Sequence, residues 1–531
     1  MSKRLTFVLL LMTWTAAQAE VPYERLLEAD QNPGDWLMYS GQYSGMRFSA
    51  LEQINRNTVA DLRVEWVSQL DTQTDVETTP LVVDGIMYIT TGVNDVLALD
   101  ARTGVPFWTY SHPMPDKLSI CCGRQNRGVA VLDNKIYMGT LDARLVALDS
   151  QSGSVVWNVK VGKHKGGYSI TSAPLTLKDM VIIGVAGGEF GIRGYIDAYD
   201  AETGALRWRR YTIPGPGEPG NDTWEGDSWK TGGAPAWMTG SFDPELNLVY
   251  WGTGNPGPDW NGEVREGDNL YSDCVLALDA DTGEIKWYFQ FTPHDVHDWD
   301  ACQVPILVDM PYRGKNRKMM LWGNRNCFFY GLDRETGEFL FAHEFAKQTW
   351  AKGIDKNGRP ILVPGMEPSE DGTLVYPAAV GGANWWSPSY SPKTGLFYLM
   401  TYNGAETFFL GELEYNEGEI YMGSVPLRTE PLDNYVSAVR AIDPTTGERA
   451  WEHRVPPIST SGVLSTAGNL VFGGTKKGNF FALDAETGDD LWHLNTGGNI
   501  HAAPISYLMD DRQFVTIATG NSIFTFSLGS D

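Results

Sequence analysis

Two cysteines stand side by side, Cys121 and Cys122. Adjacent Cα atoms across a trans peptide lie about 3.8 Å apart, whereas an ordinary disulfide spans about 4.4–6.8 Å. A bridge between them must distort the backbone, and an exported protein can hold such a bridge. As two separate thiols they would mean little. In HDVHDWD (294–300), Asp298 and Asp300 are spaced i, i+2. In extended chain that spacing puts both carboxylates on one side. Like charges so placed are costly unless a cation lies between them, and hard cations take oxygen ligands. A solvated acidic loop is the plainer alternative. GTGNPGPDWNG (252–262) is a loop stiffened by Gly and Pro in which Asn255 offers an amide oxygen. AGGEFGIRG (186–194) sets Glu189 among small residues, so the backbone can approach a flat ligand closely. Each of these two loops could equally be a tight turn.

The elements that must position these residues announce themselves by repetition. Seven stretches share the phrase A-x-D-x-x-T-G-x-x-x-W, with Ser152 for Thr in one and Gly331 and Phe341 at the ends of another: they begin at 98, 147, 198, 277, 331, 441 and 482. ALDARTGVPFW (98–108) and ALDAETGDDLW (482–492) are typical. Each reads as strand, tight Thr-Gly turn, strand. Trp at one fixed offset implies one docking task, filling the gap between adjacent sheets. Most intervals are near fifty residues, about one four-stranded blade with its loops. The interval from 331 to 441 is twice as long, and a degenerate copy, SYSPKTGLFYL (389–399), lies in its middle. The expectation is an all-β, eight-bladed propeller over residues 20–531.

Residues 1–19 read differently: Lys3 and Arg4 precede LTFVLLLMTW, and Ala17-Gln18-Ala19 follows. This is the form of a cleaved secretory signal, and it predicts a periplasmic protein with no transmembrane segment. The net charge of −25 argues against nucleic acid as a partner. It permits a basic protein partner, and it also suits solubility alone. The remaining cysteines are Cys274, Cys302 and Cys327, and no C-x-x-C-H haem motif occurs.

Taken together and in this order, the four constellations on this repeat resemble the pyrroloquinoline quinone (PQQ)-dependent alcohol dehydrogenases, the family that includes the large subunit of methanol dehydrogenase. The resemblance runs from residue 35 to the end. It implies an eight-bladed propeller with tryptophan-docking repeats and PQQ as cofactor. It implies that Cys121 and Cys122 form a vicinal disulfide against one face of the quinone, with Trp237 on the other. Glu77, Arg127, Thr171 and Arg325 match polar contacts to PQQ, Gly187 and Gly188 match backbone contacts, and Asn403 matches a further polar contact. Glu189, Asn255 and Asp298 match metal ligands, and Asp298 also matches the catalytic base, with Arg325 beside the reacting carbonyls. The family often has Thr or Ser where this chain has Ala186 and Pro235, so two side-chain bonds are expected to be missing.

Asp300 stands where calcium-dependent members carry a small residue, and in this the chain resembles lanthanide-dependent members. The expected ion is La³⁺ or Ce³⁺, bound by Glu189, Asn255, Asp298 and Asp300, with Ca²⁺ as the alternative. The implied reaction is oxidation of a primary alcohol to an aldehyde, with electrons passing to a soluble cytochrome c. Two other readings stand beside it: a non-enzymatic propeller scaffold of the cell envelope, and a PQQ dehydrogenase for sugars or polyols. A homodimer is left open.

Overall fold

The computed structural model describes residues 20–431 and 434–529. The signal-like segment 1–19 lies outside the described residues. Within them, eight four-stranded antiparallel blades succeed one another, the one over 464–495 extended by a short parallel strand, Phe48–Ser49. Seven are contiguous in sequence, over 81–111, 130–160, 175–211, 241–290, 306–344, 389–455 and 464–495. The eighth joins the strands within 505–528 to an outer strand from the other end of the chain, Leu62–Gln69. Each blade alone exposes both faces of a small sheet. Only stacking in a ring buries them, and the inner strands are accordingly buried on both sides (Leu81–Val83, Ala130–Leu132, Leu175–Leu177).

The repeated phrase spans the third and fourth strands of a blade, and its physics is visible in the turn. Asp200 Oδ1 accepts the Thr203 backbone N–H and hydroxyl, each at 2.8 Å, and Gly204 takes φ +70°. That conformation favours glycine. The Trp of one blade lies on the turn glycine of the next: a Cβ on Gly104, Gly153 or Gly283 would stand 2.5 Å from the ring of Trp66, Trp108 or Trp208. The indole N–H then donates into the same turn, Trp108 to Ser150 O and Trp208 to Ala280 O, both at 3.1 Å. Trp66 closes the ring, docking the eighth blade on the first through Ala101 O at 3.2 Å.

The blade count agrees with the sequence expectation, but its basis differs. SYSPKTGLFYL spans the first and second strands of the sixth blade, Ser389–Ser391 and Leu396–Asn403, whose third and fourth strands carry AIDPTTGERAW. It marks no extra blade. The interval from 331 to 441 is long because of excursions before and within that blade, including the pairings Ala351–Ile354 with Pro360–Leu362 and Thr373–Val375 with Glu406–Phe408. The eighth blade carries no copy of the phrase, since its outer strand comes from the N-terminal side. No helix among the described residues is long and apolar enough to cross a membrane.

Candidate active site

In a four-stranded meander, the loops joining strands two and three emerge at the same end as the loops joining successive blades. The docking turns lie at the opposite end. Every constellation singled out in the sequence falls on the first kind of loop. Cys121–Arg127 lie between blades one and two, Gly187–Glu189 within blade three, and Asn255 within blade four. Asp298 and Asp300 link blades four and five, and Arg325 lies within blade five. Together they line one cavity of about 330 Å³.

Cys121 and Cys122 are bonded to each other, with their Cα atoms 3.8 Å apart. Cys122 has φ +65°. Cys274, Cys302 and Cys327 are buried and unpaired. Arg127 is buried beside the disulfide and ion-pairs with Glu77 through Nη2 at 2.8 Å. Its guanidinium carbon lies 5.1 Å from the Trp237 ring and 4.5 Å from the Trp385 ring. Nε and Nη1 of Arg127 have no hydrogen-bond partner in the protein. A buried donor left unpaired is costly, so this cavity is built to receive an acceptor. The carboxylates of PQQ meet that requirement.

Asp298 and Asp300 do not simply alternate along an extended strand, because Asp298 turns the chain at φ +62°. They meet on Arg325. Its Nη2 donates to Asp298 Oδ2 at 3.0 Å and its Nη1 to Asp300 Oδ2 at 2.5 Å. Nη2 also donates to Ala379 O at 2.5 Å. Burial opposes the Arg325 charge, but Asp298 and Asp300 hold its pKa above the ordinary value. Asp300 also accepts the Trp237 indole N–H at 3.0 Å and the Asn255 backbone N–H, at Oδ1, at 2.6 Å. One carboxylate therefore ties together the base, the ring-bearing loop and the Asn255 loop.

Burial pushes the Asp298 carboxyl well above the usual range, against the pull of Arg325. Glu189 is raised to about 7, first by burial and then by the Asp300 charge. Asp259, buried behind this group, is likewise raised by burial, and its Oδ1 has no partner. Buried carboxyl groups beside an amide oxygen match the oxygen donor set of a hard cation, whose binding would favour their ionised form. The residues fit the expected ion in kind. They are not drawn together as a cluster: among the described residues, only Cys121, Cys122 and Glu189 bring potential ligand atoms within 4.8 Å of one another. Two of those are disulfide sulfurs, which lack the thiolate a metal requires.

Thr171, Gly187 and Trp237 line the cavity as expected, and so do Ala186 and Pro235, the two positions that lack a hydroxyl. Gly188 stands just behind, where a Cβ would meet Asn255 Oδ1 at 3.5 Å. Glu77 reaches the cavity only through Arg127. Asn403 is not at the wall; its amide oxygen accepts the Lys347 backbone N–H at 3.0 Å. Asn384 occupies the wall instead, with Trp385, Gln125 and Val380. The signal for Asn384 and Trp385 was the dense G-G-A-N-W-W at 381–386, which interrupts the long interval between phrases.

Known proteins bear on this geometry. Residues 36–349 match the family described as glucose/ethanol/alcohol dehydrogenase, beta-propeller domain, and residues 436–528 match a family described as outer membrane protein assembly factor BamB. The quinoprotein alcohol dehydrogenase PedH of Pseudomonas putida is 41% identical over 95% of this chain and 89% of its own length. The crystal structure of the quinohemoprotein alcohol dehydrogenase from Comamonas testosteroni superposes with a TM-score of 0.93 at 36% identity, over 97% of this chain and 84% of that one. A europium-containing methanol dehydrogenase does so with a TM-score of 0.90 at 34% identity, over 95% and 100%. With the bonded Cys121–Cys122 pair, the acid-lined cavity and the closed propeller beneath them, this chain belongs to the PQQ-dependent quinoprotein alcohol dehydrogenases.

Proposed function

We propose that the protein is a periplasmic dehydrogenase of primary alcohols, using PQQ and one lanthanide ion and passing electrons to a cytochrome c. When bound, PQQ would supply a carbonyl able to accept two electrons, and the ion would supply Lewis acidity to it. The chain's own residues do the rest. Arg127, with Thr171 and Asn384, would hold the cofactor's polar edge. The disulfide and Trp237 would press on its faces. Glu189, Asn255, Asp298 and Asp300 would hold the ion. Asp298 is the general base: its carboxylate takes the alcohol hydroxyl proton as the carbon–hydrogen bond breaks, which requires about 3 Å between them. Arg325 keeps Asp298 in place and favours its ionised form.

The observation that carries this reading is the Asp298–Arg325 pair set in the same cavity as buried Arg127, whose unpaired donors call for an anionic ligand. A scaffold of the cell envelope has no use for such a cavity. The test is turnover. Protein reconstituted with PQQ and La³⁺ should oxidise short primary alcohols to aldehydes with a phenazine dye as acceptor. Activity confined to sugars or polyols would replace the substrate assignment, and no activity with any alcohol would refute the reading.

A further inference from the structure

Beside the cavity stands a lobe that the eight blades do not require. Its two segments, 361–375 and 406–431, meet in a small sheet in which Leu374 pairs with Thr407. On its other side Thr407 pairs with Leu427. Leu374 and Leu427 thus flank one residue and stand in a single row. Both are exposed, at 42% and 53%, and Val425 and Ile420 on the same segment are more so, at 60% and 64%. Large aliphatic side chains grouped in this way mark an interaction surface. The two segments also carry nine Asp and Glu residues against one basic residue, Arg428.

The lobe is tied directly to the site. The Tyr421 backbone N–H donates to Glu189 O at 2.7 Å. Glu406 accepts the Ala379 N–H at 3.0 Å, and Ala379 O in turn accepts from Arg325. Ser119, on the disulfide loop, donates to Gly418 O at 2.9 Å. A molecule resting on the lobe therefore rests beside the wall that holds Glu189, Arg325 and the disulfide.

An apolar row on an acidic lobe selects a partner whose own apolar patch is flanked by Lys and Arg. A second copy of this chain brings a net charge of −25 and the same acidic lobe, so it is repelled. Across the Ser119–Gly418 contact, a shallow hollow is lined by Lys117, Arg124 and Lys165. Three cations against one carboxylate, Asp116, stand there beside the acidic lobe, which would fix the partner's orientation. We infer that the lobe around Leu374, Val425 and Leu427 is the docking surface for a basic haem protein of the c-type cytochrome class. This inference rests on the proposed function. Each alcohol oxidised to aldehyde releases two electrons and two protons, so two ferric haems would each be reduced by one electron in successive encounters.

The test uses holoenzyme loaded with PQQ and La³⁺, assayed with a phenazine dye and with a basic c-type cytochrome. Two double variants are compared with wild type: Val425→Glu with Leu427→Glu, and Glu412→Lys with Glu414→Lys. The expectation is unchanged dye turnover in both. With cytochrome, kcat/KM should fall about tenfold or more in each, and for wild type it should fall steeply as salt is added. Unchanged cytochrome kinetics in either variant, with dye turnover retained, would overturn the docking surface alone. So would a wild-type dimer in sedimentation that the Val425/Leu427 variant dissociates, since a second copy would then cover the row. Wild-type holoenzyme inert toward the dye would remove the proposed function, and the docking surface with it.

Discussion

Arg325 Nη1 lies 2.5 Å from Asp300 Oδ2, so the protein supplies a cation of its own to the paired carboxylates of HDVHDWD. The guanidinium reaches Asp298 as well, at 3.0 Å. The like-charge repulsion that i, i+2 spacing creates is therefore relieved in part by the protein itself. Arg325 orients the base, and Asp300 orients Arg325. The rigidity of the base thus depends on a residue that need not touch the substrate.

Substitution of the base itself tests this arrangement. Asp298→Asn keeps the shape but removes the proton acceptor, and general bases contribute roughly 10²–10⁴-fold. PQQ should remain bound, with its visible absorbance, while kcat falls by that order. A loaded Asp298→Asn protein turning over at the wild-type rate would disprove the assignment of the base.

The thiol count is a second outcome. Cys121 and Cys122 are bonded, and the other three cysteines are buried and unpaired. Protein denatured without reductant should titrate as three thiols, and as five after reduction. Five thiols before reduction, in protein never exposed to reductant, would contradict the bridge.

Much of this was legible in the sequence because it is repeated or local. The docking phrase recurs with its Asp and Gly at set offsets and with Trp in all copies but the one ending in Phe341, and where the indole N–H donates into the next turn it does so in the same way. The adjacent cysteines needed no partner search. Asn403 shows the limit. Its match rests on resemblance across the longest interval between phrases, where inserted segments obscure the register, and the cavity wall holds Asn384 there. The role of Arg325 toward Asp300 was also hidden, because a contact between two loops leaves no trace in the spacing of either. The degenerate phrase at 389–399 misled for a related reason: strand, Thr-Gly turn and strand can be written on either hairpin of a blade.

Asp273, which is not itself among the proposed ligands, offers a test of the buried acids. It is fully buried and neither carboxylate oxygen has a partner. Burial, and then the charge of Asp295, holds its carboxyl well above the usual value. The folded protein therefore binds this proton more tightly than the unfolded chain does. Stability should fall as pH rises above about 4, the unfolded pKa, toward the folded one. Asp273→Asn mimics the protonated acid. It should raise the melting temperature at pH 7.5 and change it little at pH 4.5, as read by calorimetry of cofactor-free protein. Equal shifts at both pH values would show that Asp273 does not govern this dependence.

The identity of the ion turns on charge around Asp300. Glu189, Asp298 and Asp300 bring three negative charges once ionised, and Arg325 returns one positive charge. Buried Asp259, with an unpartnered oxygen, adds a further carboxylate close by. A cofactor carboxylate would deepen the deficit. A trivalent ion offsets more of it than a divalent one, and in a poorly hydrated cavity that difference is large. Yet Asp300 already accepts three hydrogen bonds, from Arg325, Trp237 and the Asn255 backbone, so it must share its oxygens with the ion. Two roles for Asp300, ligand and loop anchor, make opposite forecasts. As a ligand, Asp300→Ala should weaken La³⁺ binding far more than Ca²⁺ binding, as measured by calorimetric titration of metal-free protein with PQQ present. As an anchor alone, the variant should weaken both alike, through the loosened Asn255 loop and Arg325. We expect the first pattern, with La³⁺ giving the higher turnover in wild type. Equal losses for the two ions, or full wild-type activity with Ca²⁺ and no gain from La³⁺, would assign Asp300 to the loop and calcium to the site.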